Sequence, residues 1–193
     1  MDIKKYIQDS IETKQLILNN NETLEIIKKI ANKIVEAYKN DKKVLTAGNG
    51  GSAGDAQHIA GELVSKFFFD RPGLSVFSLA TDTSILTAIG NDYGFEKSFS
   101  RQIQANAKEG DVFIAISTSG NSKNIVLALQ EAKTKGVVTV GLVGSKTCEM
   151  DKYCDFILHV PSLSTPIIQE SHIMIGHIIC ALVEEAIFKK EDV

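Results

Sequence analysis

Short apolar runs alternate with amphipathic stretches along most of the chain. From Lys43 onward, the apolar runs predict β-strands at 43–47, 74–79, 111–117, 137–142 and 155–160. The intervening periodicity predicts helices at 52–66, 82–107 (broken near Gly90 to Gly94), 122–135 and 146–152, then a long helix from about Thr165 to Lys189. Runs such as VFIAIS are typical of strands buried on both faces of a parallel sheet. This alternation predicts an α/β three-layer sandwich with right-handed crossovers.

The first forty residues are helical in pattern and precede any strand. We expect one helix at 2–19 and a second that starts near Asn21 as its N-cap. These helices either pack on the sheet or contact another copy of the protein. A length of 193 residues predicts a single domain, 1–193, in which 1–40 is a helical N-terminal extension.

The expected strand order brings two loops together. Five parallel strands commonly take the flavodoxin-like order 2-1-3-4-5, which binds ligands beyond the carboxyl ends of the first and third strands. The first predicted strand leads to Asn49-Gly50-Gly51-Ser52, and the third leads to Ser117-Thr118-Ser119-Gly120-Asn121-Ser122. We therefore expect both loops in one crevice.

Composition excludes several classes of partner. The net charge is -3 and the pI is about 5.8. Among the basic residues are 19 lysines but only two arginines, so we expect no nucleic-acid partner. No stretch approaches a membrane span and no signal peptide is evident, so we expect no membrane partner. Three cysteines in no common zinc pattern indicate reduced thiols in a cytoplasmic protein.

The loop after the third strand is suited to a phosphate group. Its hydroxyls, together with backbone N–H groups at a helix N-terminus, can bind an anion with little fixed charge. The alternative is a serine-rich N-cap that only starts the helix. The glycines of the first loop allow a close approach of the backbone to a ligand. That loop is not a GxGxxG fingerprint, so a dinucleotide is not expected.

Four polar residues on two helices could form a reactive cluster. His58 and Glu62 are four positions apart, so they share a helix face and could bind a metal, divide acid and base roles, or only form a surface hydrogen bond. Gln169 and His177 lie on one stripe of the last helix, about 12 Å apart along its axis. They could reach one site placed between them, or serve sites in different subunits. His172 lies off this stripe and is interpreted as structural.

Two further positions leave alternatives open. Asn91 and Asp92 lie in the glycine-bounded break, where they could bind sugar hydroxyls or cap a helix. Arg71 could supply a charge to the ligand or could lie in a solvent-facing loop.

Four segments together resemble the bacterial phosphoheptose isomerases, a branch of the sugar isomerase (SIS) domain family. They are AGNGGSAGDAQHIAGEL, ATDTSILTAIGNDYGF, EGDVFIAISTSGNS and IIQESHIMIGHI. The resemblance implies a metal and catalytic cluster of His58, Glu62, Gln169 and His177, with one Zn²⁺ per site and Glu62 and His177 as the catalytic pair. It implies substrate contacts from both loops, the 91–92 pair and two cluster residues, namely Asn49, Gly50, Gly51, Ser52, Glu62, Asn91, Asp92, Ser117, Thr118, Ser119, Ser122 and Gln169.

The resemblance also implies an activity. By this resemblance, the protein would convert sedoheptulose 7-phosphate to D-glycero-D-manno-heptose 7-phosphate. This reaction is the first step towards the nucleotide-heptoses of surface polysaccharide. The resemblance further implies a cytoplasmic homotetramer. The open alternatives are isomerisation of another phosphorylated ketose, or a non-catalytic SIS protein that binds a replication initiator or senses a sugar phosphate.

Overall fold

The chain forms a five-stranded sheet covered by helices on both faces. The computed structural model describes residues 2–189; residue 1 and residues 190–193 of the predicted domain lie outside this range. The strands are β1 (Val44–Gly48), β2 (Val76–Ser78), β3 (Val112–Ile116), β4 (Val138–Val143) and β5 (Phe156–His159). The helices are α1 (Ile3–Leu18), α2 (Asn21–Lys39), α3 (Gly51–Val64), α4 (Thr83–Tyr93), α5 (Ser100–Asn106), α6 (Lys123–Thr134) and α7 (Thr165–Phe188).

The predicted sheet order is confirmed. All strand pairs are parallel, in the order β2-β1-β3-β4-β5. In the register of β1 and β3, Val44 lies beside Val112 and Gly48 beside Ile116. The carboxyl ends of these two strands therefore lie side by side, with the loops that follow them at the same edge of the sheet.

The core consists of two apolar layers because successive strand residues point to opposite faces. On one face, Ile114 and Ile116 pack with apolar residues of α2, α3 and α7. On the other face, Phe113 and Ala115 pack with residues of α5 and α6. By length and composition α7 could cross a membrane. Its buried residues nevertheless belong to the first of these layers, so α7 is a core helix of this fold.

Two local predictions need correction, and the predicted break near Gly90 to Gly94 is confirmed. The N-cap of α2 is Asn20, whose side chain accepts a hydrogen bond from the Thr23 N–H, and not Asn21. The segment 146–152 contains only a 3₁₀ turn, Glu149–Lys152, because the N–H of Cys148 bonds to the nearby Asp151 carboxylate and closes a tight local turn. The break after α4 falls at Gly94, where φ is 88°.

Candidate active site

The loop after β1 contacts the start of α6 through a pair of amides. The side chains of Asn49 and Asn124 exchange two hydrogen bonds, each of 2.9 Å. Asn124 is buried in the first turn of α6, and its amide also donates to Ser98 Oγ at 3.2 Å. This contact supports the predicted crevice, and Asn124 is a member of it that no motif in the sequence indicated.

The serine loop presents its hydroxyls as a group. The Oγ of Ser117 lies 3.0 Å from that of Ser122 and 3.5 Å from that of Ser119. Ser122 is the N-cap residue of α6, yet its side chain makes no capping hydrogen bond. Its hydroxyl is thus not used to start the helix, which favours the ligand-binding interpretation of this loop over the purely structural one.

A cavity of about 310 Å³ opens beside this loop. Thr118 and Ser119 line it on one side, while Lys146 and Thr165 lie on other parts of the wall. Lys146 brings a positive charge next to the hydroxyl cluster. Sequence analysis missed this residue because a single lysine after a strand carries no distinguishing pattern.

The structure brings His58, Glu62 and His177 together. The Nε2 atom of His58 lies 2.9 Å from Glu62 Oε1 and 3.1 Å from His177 Nε2. The two imidazole rings are 4.9 Å apart between centroids. One helical turn on α3 thus supplies two of the groups, and α7 supplies the third.

These three side chains fit a metal ion. One atom from each lies within 4.8 Å of the other two. A single N–H on His58 Nε2 cannot make straight hydrogen bonds to both neighbours, so without a cation at least one of these two close contacts lacks an aligned hydrogen bond. Ligands of tetrahedral zinc lie roughly 3.3 Å apart when each bond is about 2.0–2.1 Å. The two separations from His58, 2.9 and 3.1 Å, are close to that value, and the set forms a possible His–Glu–His metal site.

Gln169 lies at the other end of the same helix pair. A Cβ atom built on Gly51 would lie 2.5 Å from Gln169 Nε2, so the absence of a side chain there makes room for the amide. Gln169 therefore sits beside the first turn of α3, next to Gly50 and Ser52. In this single chain His177, and not Gln169, reaches His58, as expected for residues two helical turns apart.

A second glycine sets the distance between α3 and α7. A Cβ atom built on Gly176 would lie 2.9 Å from Cδ1 and Cγ1 of Ile59. Gly176 precedes His177, and Ile59 follows His58. The close approach of the two backbones therefore places the two imidazoles within contact.

The remaining predicted positions lie elsewhere. Asn91 and Asp92 are in the last turn of α4 rather than in the break, and the Asn91 amide donates to the Asp92 carboxylate at 2.8 Å on the surface. Arg71 is neither in a solvent-facing loop nor free for a ligand, because its side chain is 2% exposed and paired with Glu184. His172 is fully buried, as its structural interpretation requires.

Two titratable groups near the site have shifted pKa values. Burial raises the pKa of the Asp55 carboxyl to about 6, although His58, one turn further along α3, opposes the shift. Burial lowers the pKa of His172 to about 4, against a weak hydrogen bond to the Val143 carbonyl. His172 is therefore a neutral imidazole at pH 7, with a buried Nδ1 atom that has no hydrogen-bond partner among residues 2–189.

Comparison with known proteins agrees with this geometry. Residues 5–144 match the family model described as "SIS domain". The chain is 62% identical to the phosphoheptose isomerase of Aneurinibacillus thermoaerophilus, over 98% of this chain and 96% of that protein. It is 57% identical to phosphoheptose isomerase 2 of Campylobacter jejuni, over 97% and 94% respectively.

A solved structure agrees as well. The phosphoheptose isomerase of Neisseria gonorrhoeae superposes with a TM-score of 0.88 at 37% identity, covering 95% of this chain and 97% of that one. Fold similarity and sequence identity over nearly the whole chain coincide, and the chain therefore belongs to the phosphoheptose isomerase family of SIS-domain enzymes.

Proposed function

We propose that the protein isomerises sedoheptulose 7-phosphate to D-glycero-D-manno-heptose 7-phosphate in the cytoplasm, as the first step towards nucleotide-heptoses for surface polysaccharide. The observation that carries this proposal is the His58–Glu62–His177 cluster on α3 and α7. It lies on the helix that leaves the β1 loop, and that loop contacts the start of α6. The identity to phosphoheptose isomerases over nearly the whole chain supports the same substrate class.

The phosphate is held by the loop after β3. The hydroxyls of Ser117, Ser119 and Ser122 converge there, and Thr118 lines the adjacent cavity. The first N–H groups of α6 have no intrahelical partner, so they can donate to phosphate oxygens. Binding energy gained at this remote group orients the carbons that react.

The reaction moves a proton between C1 and C2 of the sugar through an enediol. Glu62 is the base that removes the proton, since its carboxylate lies beside His58 and is partly shielded from solvent. His177 acts as the acid towards the sugar oxygen or carries the opposing proton. Asn49 and Gln169 are assigned to the sugar hydroxyls. Asn91 and Asp92, on the exposed end of α4, are assigned to the sugar bound by a neighbouring copy of the chain.

One Zn²⁺ per site would be held by His58, Glu62 and His177. Gln169 lies two helical turns from His177 in the same chain, so it would join this set only from another copy of the chain. A bound divalent ion polarises the carbonyl and stabilises the negative charge that develops on its oxygen. A carboxylate that binds the ion tightly is a weaker base, so Glu62 serves both roles only if it ligates for part of the cycle.

The active assembly is proposed to be a homotetramer. The outer face of α1 exposes Ile3, Ile7 and Ile11, which follow one another at intervals of four along the same stripe. Leu18 continues this stripe and is also exposed. An apolar stripe of this length on a polar helix is typical of a contact with another copy of the chain. The N-terminal extension is thus assigned to subunit contacts.

One incubation tests the proposed function. Purified protein is mixed with sedoheptulose 7-phosphate, with and without added Zn²⁺, and aldose formation is followed by NMR. We expect the heptose 7-phosphate to accumulate. A hexulose 6-phosphate serves as the competing substrate, and its faster conversion, or the absence of any aldose product, would contradict the proposal.

A further inference from the structure

The guanidinium of Arg71 forms its hydrogen bonds with other groups of the protein. Its Nε donates to the Glu184 carboxylate at 2.9 Å. Its other nitrogens donate to backbone oxygens around the end of α3, those of Glu62 (2.9 Å), Leu63 (2.7 Å), Ser65 (2.9 Å) and Pro72 (3.2 Å). Arg71 and Glu184 have side chains that are 2% and 0% exposed. This arginine is thus a structural cation within the fold, directed at the helix that carries Glu62.

Arg71 holds the last turn of α3. The final carbonyls of a helix have no intrahelical donor, and a positive charge there complements the helix dipole. α3 ends at Val64, and its C-cap residue Ser65 has a non-helical ψ of -109°. The Leu63 carbonyl also accepts from the Leu74 N–H at 3.1 Å, whereas the Glu62 carbonyl accepts its hydrogen bond beyond the helix from Arg71. Because Glu62 lies in this turn, loss of these bonds would free the backbone that carries its carboxylate.

Glu184 links the same ion pair to the other side of the cluster. Its carboxylate accepts hydrogen bonds from the N–H groups of Phe67, at 2.8 Å, and Phe68, at 2.6 Å. These bonds fold the segment after α3 back towards α7, where the Phe67 ring lies 5.7 Å from the ring of His177. Glu184 is two helical turns beyond His177 on α7, so both face the same side. One buried ion pair thus contacts the backbone of Glu62 and the aromatic neighbour of His177.

We propose that Arg71 and Glu184 are positioning residues that hold Glu62 and His177 at the spacing the reaction and the metal require. Neither touches the reacting atoms in this arrangement. Arginine is needed because its planar fork donates to a carboxylate and to several carbonyls at once, which the single ammonium of lysine cannot do. The expected loss of kcat rests on the proposed function, whereas the expected loss of Zn²⁺ affinity does not depend on the substrate.

The test compares two buried carboxylates with the same kind of partners. Asp111 accepts hydrogen bonds from the N–H groups of Lys43 and Lys108 and from the Lys43 ammonium. It lies at the amino end of β3, at the opposite edge of the sheet from the site. Glu184→Gln and Asp111→Asn therefore each weaken a buried carboxylate with two backbone donors and one cation. Only Glu184 contacts residues that adjoin the cluster, namely Arg71 and Phe67.

We expect Glu184→Gln to lower kcat by about 10–100-fold, because a misplacement near 1 Å costs on that order. KM should change less than threefold, because the phosphate loop is untouched. Zn²⁺ affinity, measured by competition with a chromophoric chelator, should fall about 10–100-fold, as for other residues that orient metal ligands. Asp111→Asn should keep kcat and Zn²⁺ affinity within twofold even where it lowers the melting temperature equally.

Arg71→Lys keeps the buried positive charge and provides the second test if Glu184→Gln does not fold. We expect it to lower kcat and Zn²⁺ affinity in the same way. The proposal is overturned if either folded variant keeps both quantities within twofold, or if Asp111→Asn loses both to the same extent. A wild-type protein without isomerase activity, with zinc binding that still depends on Arg71 and Glu184, would refute the proposed substrate while supporting the positioning role.

Discussion

The Nε2 atoms of His58 and His177 lie 3.1 Å apart, although 119 positions separate the two residues in the chain. Each imidazole is on a different helix, and Glu62 completes the group from the next turn of α3. The cluster therefore exists only when α3 and α7 pack correctly. Several measurable consequences depend on this arrangement.

Replacing Glu62 with glutamine should remove turnover without unfolding the protein. The amide has nearly the same shape as the carboxylate but cannot accept a proton from carbon. We expect kcat to fall by about 10²–10⁴-fold, the usual contribution of a general base. Initial rates and circular dichroism measure the two effects. Glu109→Gln, an exposed carboxylate far from the cluster in the loop before β3, is the control, and near-normal activity of Glu62→Gln would remove Glu62 from the role of base.

Replacing His58 with alanine should weaken zinc binding. The substitution removes one of three converging donors, and we expect affinity for Zn²⁺ to fall at least about 100-fold. Competition with a chromophoric chelator gives the affinity. His159→Ala is the matched control, because His159 bonds to Asp151 and to the Gly144 carbonyl outside the cluster. Equal zinc affinity in the two variants would contradict the assigned metal site.

Replacing Ser122 with alanine should weaken binding of the sugar phosphate. A hydrogen bond to a charged group contributes about 1.5–3 kcal/mol, so we expect KM to rise by about 10–100-fold. Inhibition by inorganic phosphate should weaken by a similar factor. Ser100→Ala on α5 is the control, since that hydroxyl bonds only to the Lys97 carbonyl. An unchanged KM would mean that the hydroxyl serves the loop and not the ligand.

Acid should destabilise the fold through His172. The folded protein lowers the pKa of this imidazole from 6.5 to about 4 by burial, whereas the unfolded chain binds the proton at the ordinary value. Between pH 6.5 and pH 4 the unfolded state therefore binds more protons, and the free energy of unfolding falls as the pH falls. Above pH 6.5 the effect is absent.

Urea unfolding at pH 7 and pH 4 measures this contribution, which we expect to reach roughly 3 kcal/mol. His172→Gln keeps a donor for the Val143 carbonyl but does not titrate. Other groups, including Asp55, change in both proteins, so the difference between wild type and variant isolates His172. If the difference in the free energy of unfolding between wild type and variant does not vary with pH, the imidazole is not held neutral in the folded protein.

Charge on the outer face of α1 should break the proposed tetramer. We expect the double variant Ile7→Lys, Ile11→Lys to sediment as a smaller species, since two ammonium groups would replace exposed apolar contacts. Analytical ultracentrifugation gives the mass. Glu12→Lys changes an exposed residue about 100° around α1 from Ile11, outside the apolar stripe, and is the control. An unchanged mass for the double variant would place the subunit contact elsewhere.

The sheet was the most predictable part of the molecule. Runs such as those around Ile114 and Val140 are almost continuously apolar, which marks strands buried on both sides, and parallel order follows from the intervening helices. The topology rule then placed the loops after β1 and β3 at one edge, as found. Element ends were less predictable, because the choice of Asn20 over Asn21 as a cap depends on local hydrogen-bond geometry.

The candidate site was predictable only where helical spacing determines proximity. His58 and Glu62 share a face of α3 through their spacing alone. Their meeting with His177 depends on how α7 packs, which no local pattern specifies. Arg71 shows the limit most clearly: as one loop arginine it resembled a ligand contact, and only the folded chain supplies Glu184 as its partner. Asn124 and Lys146 carried no motif, so their positions required the tertiary structure.

The glycine at position 176 has a consequence for how this enzyme can vary in sequence. Even one methyl group there would clash with the Ile59 side chain and move the two histidine-bearing helices apart. Alanine, normally the mildest change in a helix, should therefore be poorly tolerated at this point. The spacing of the catalytic residues therefore depends on the lack of a side chain at position 176.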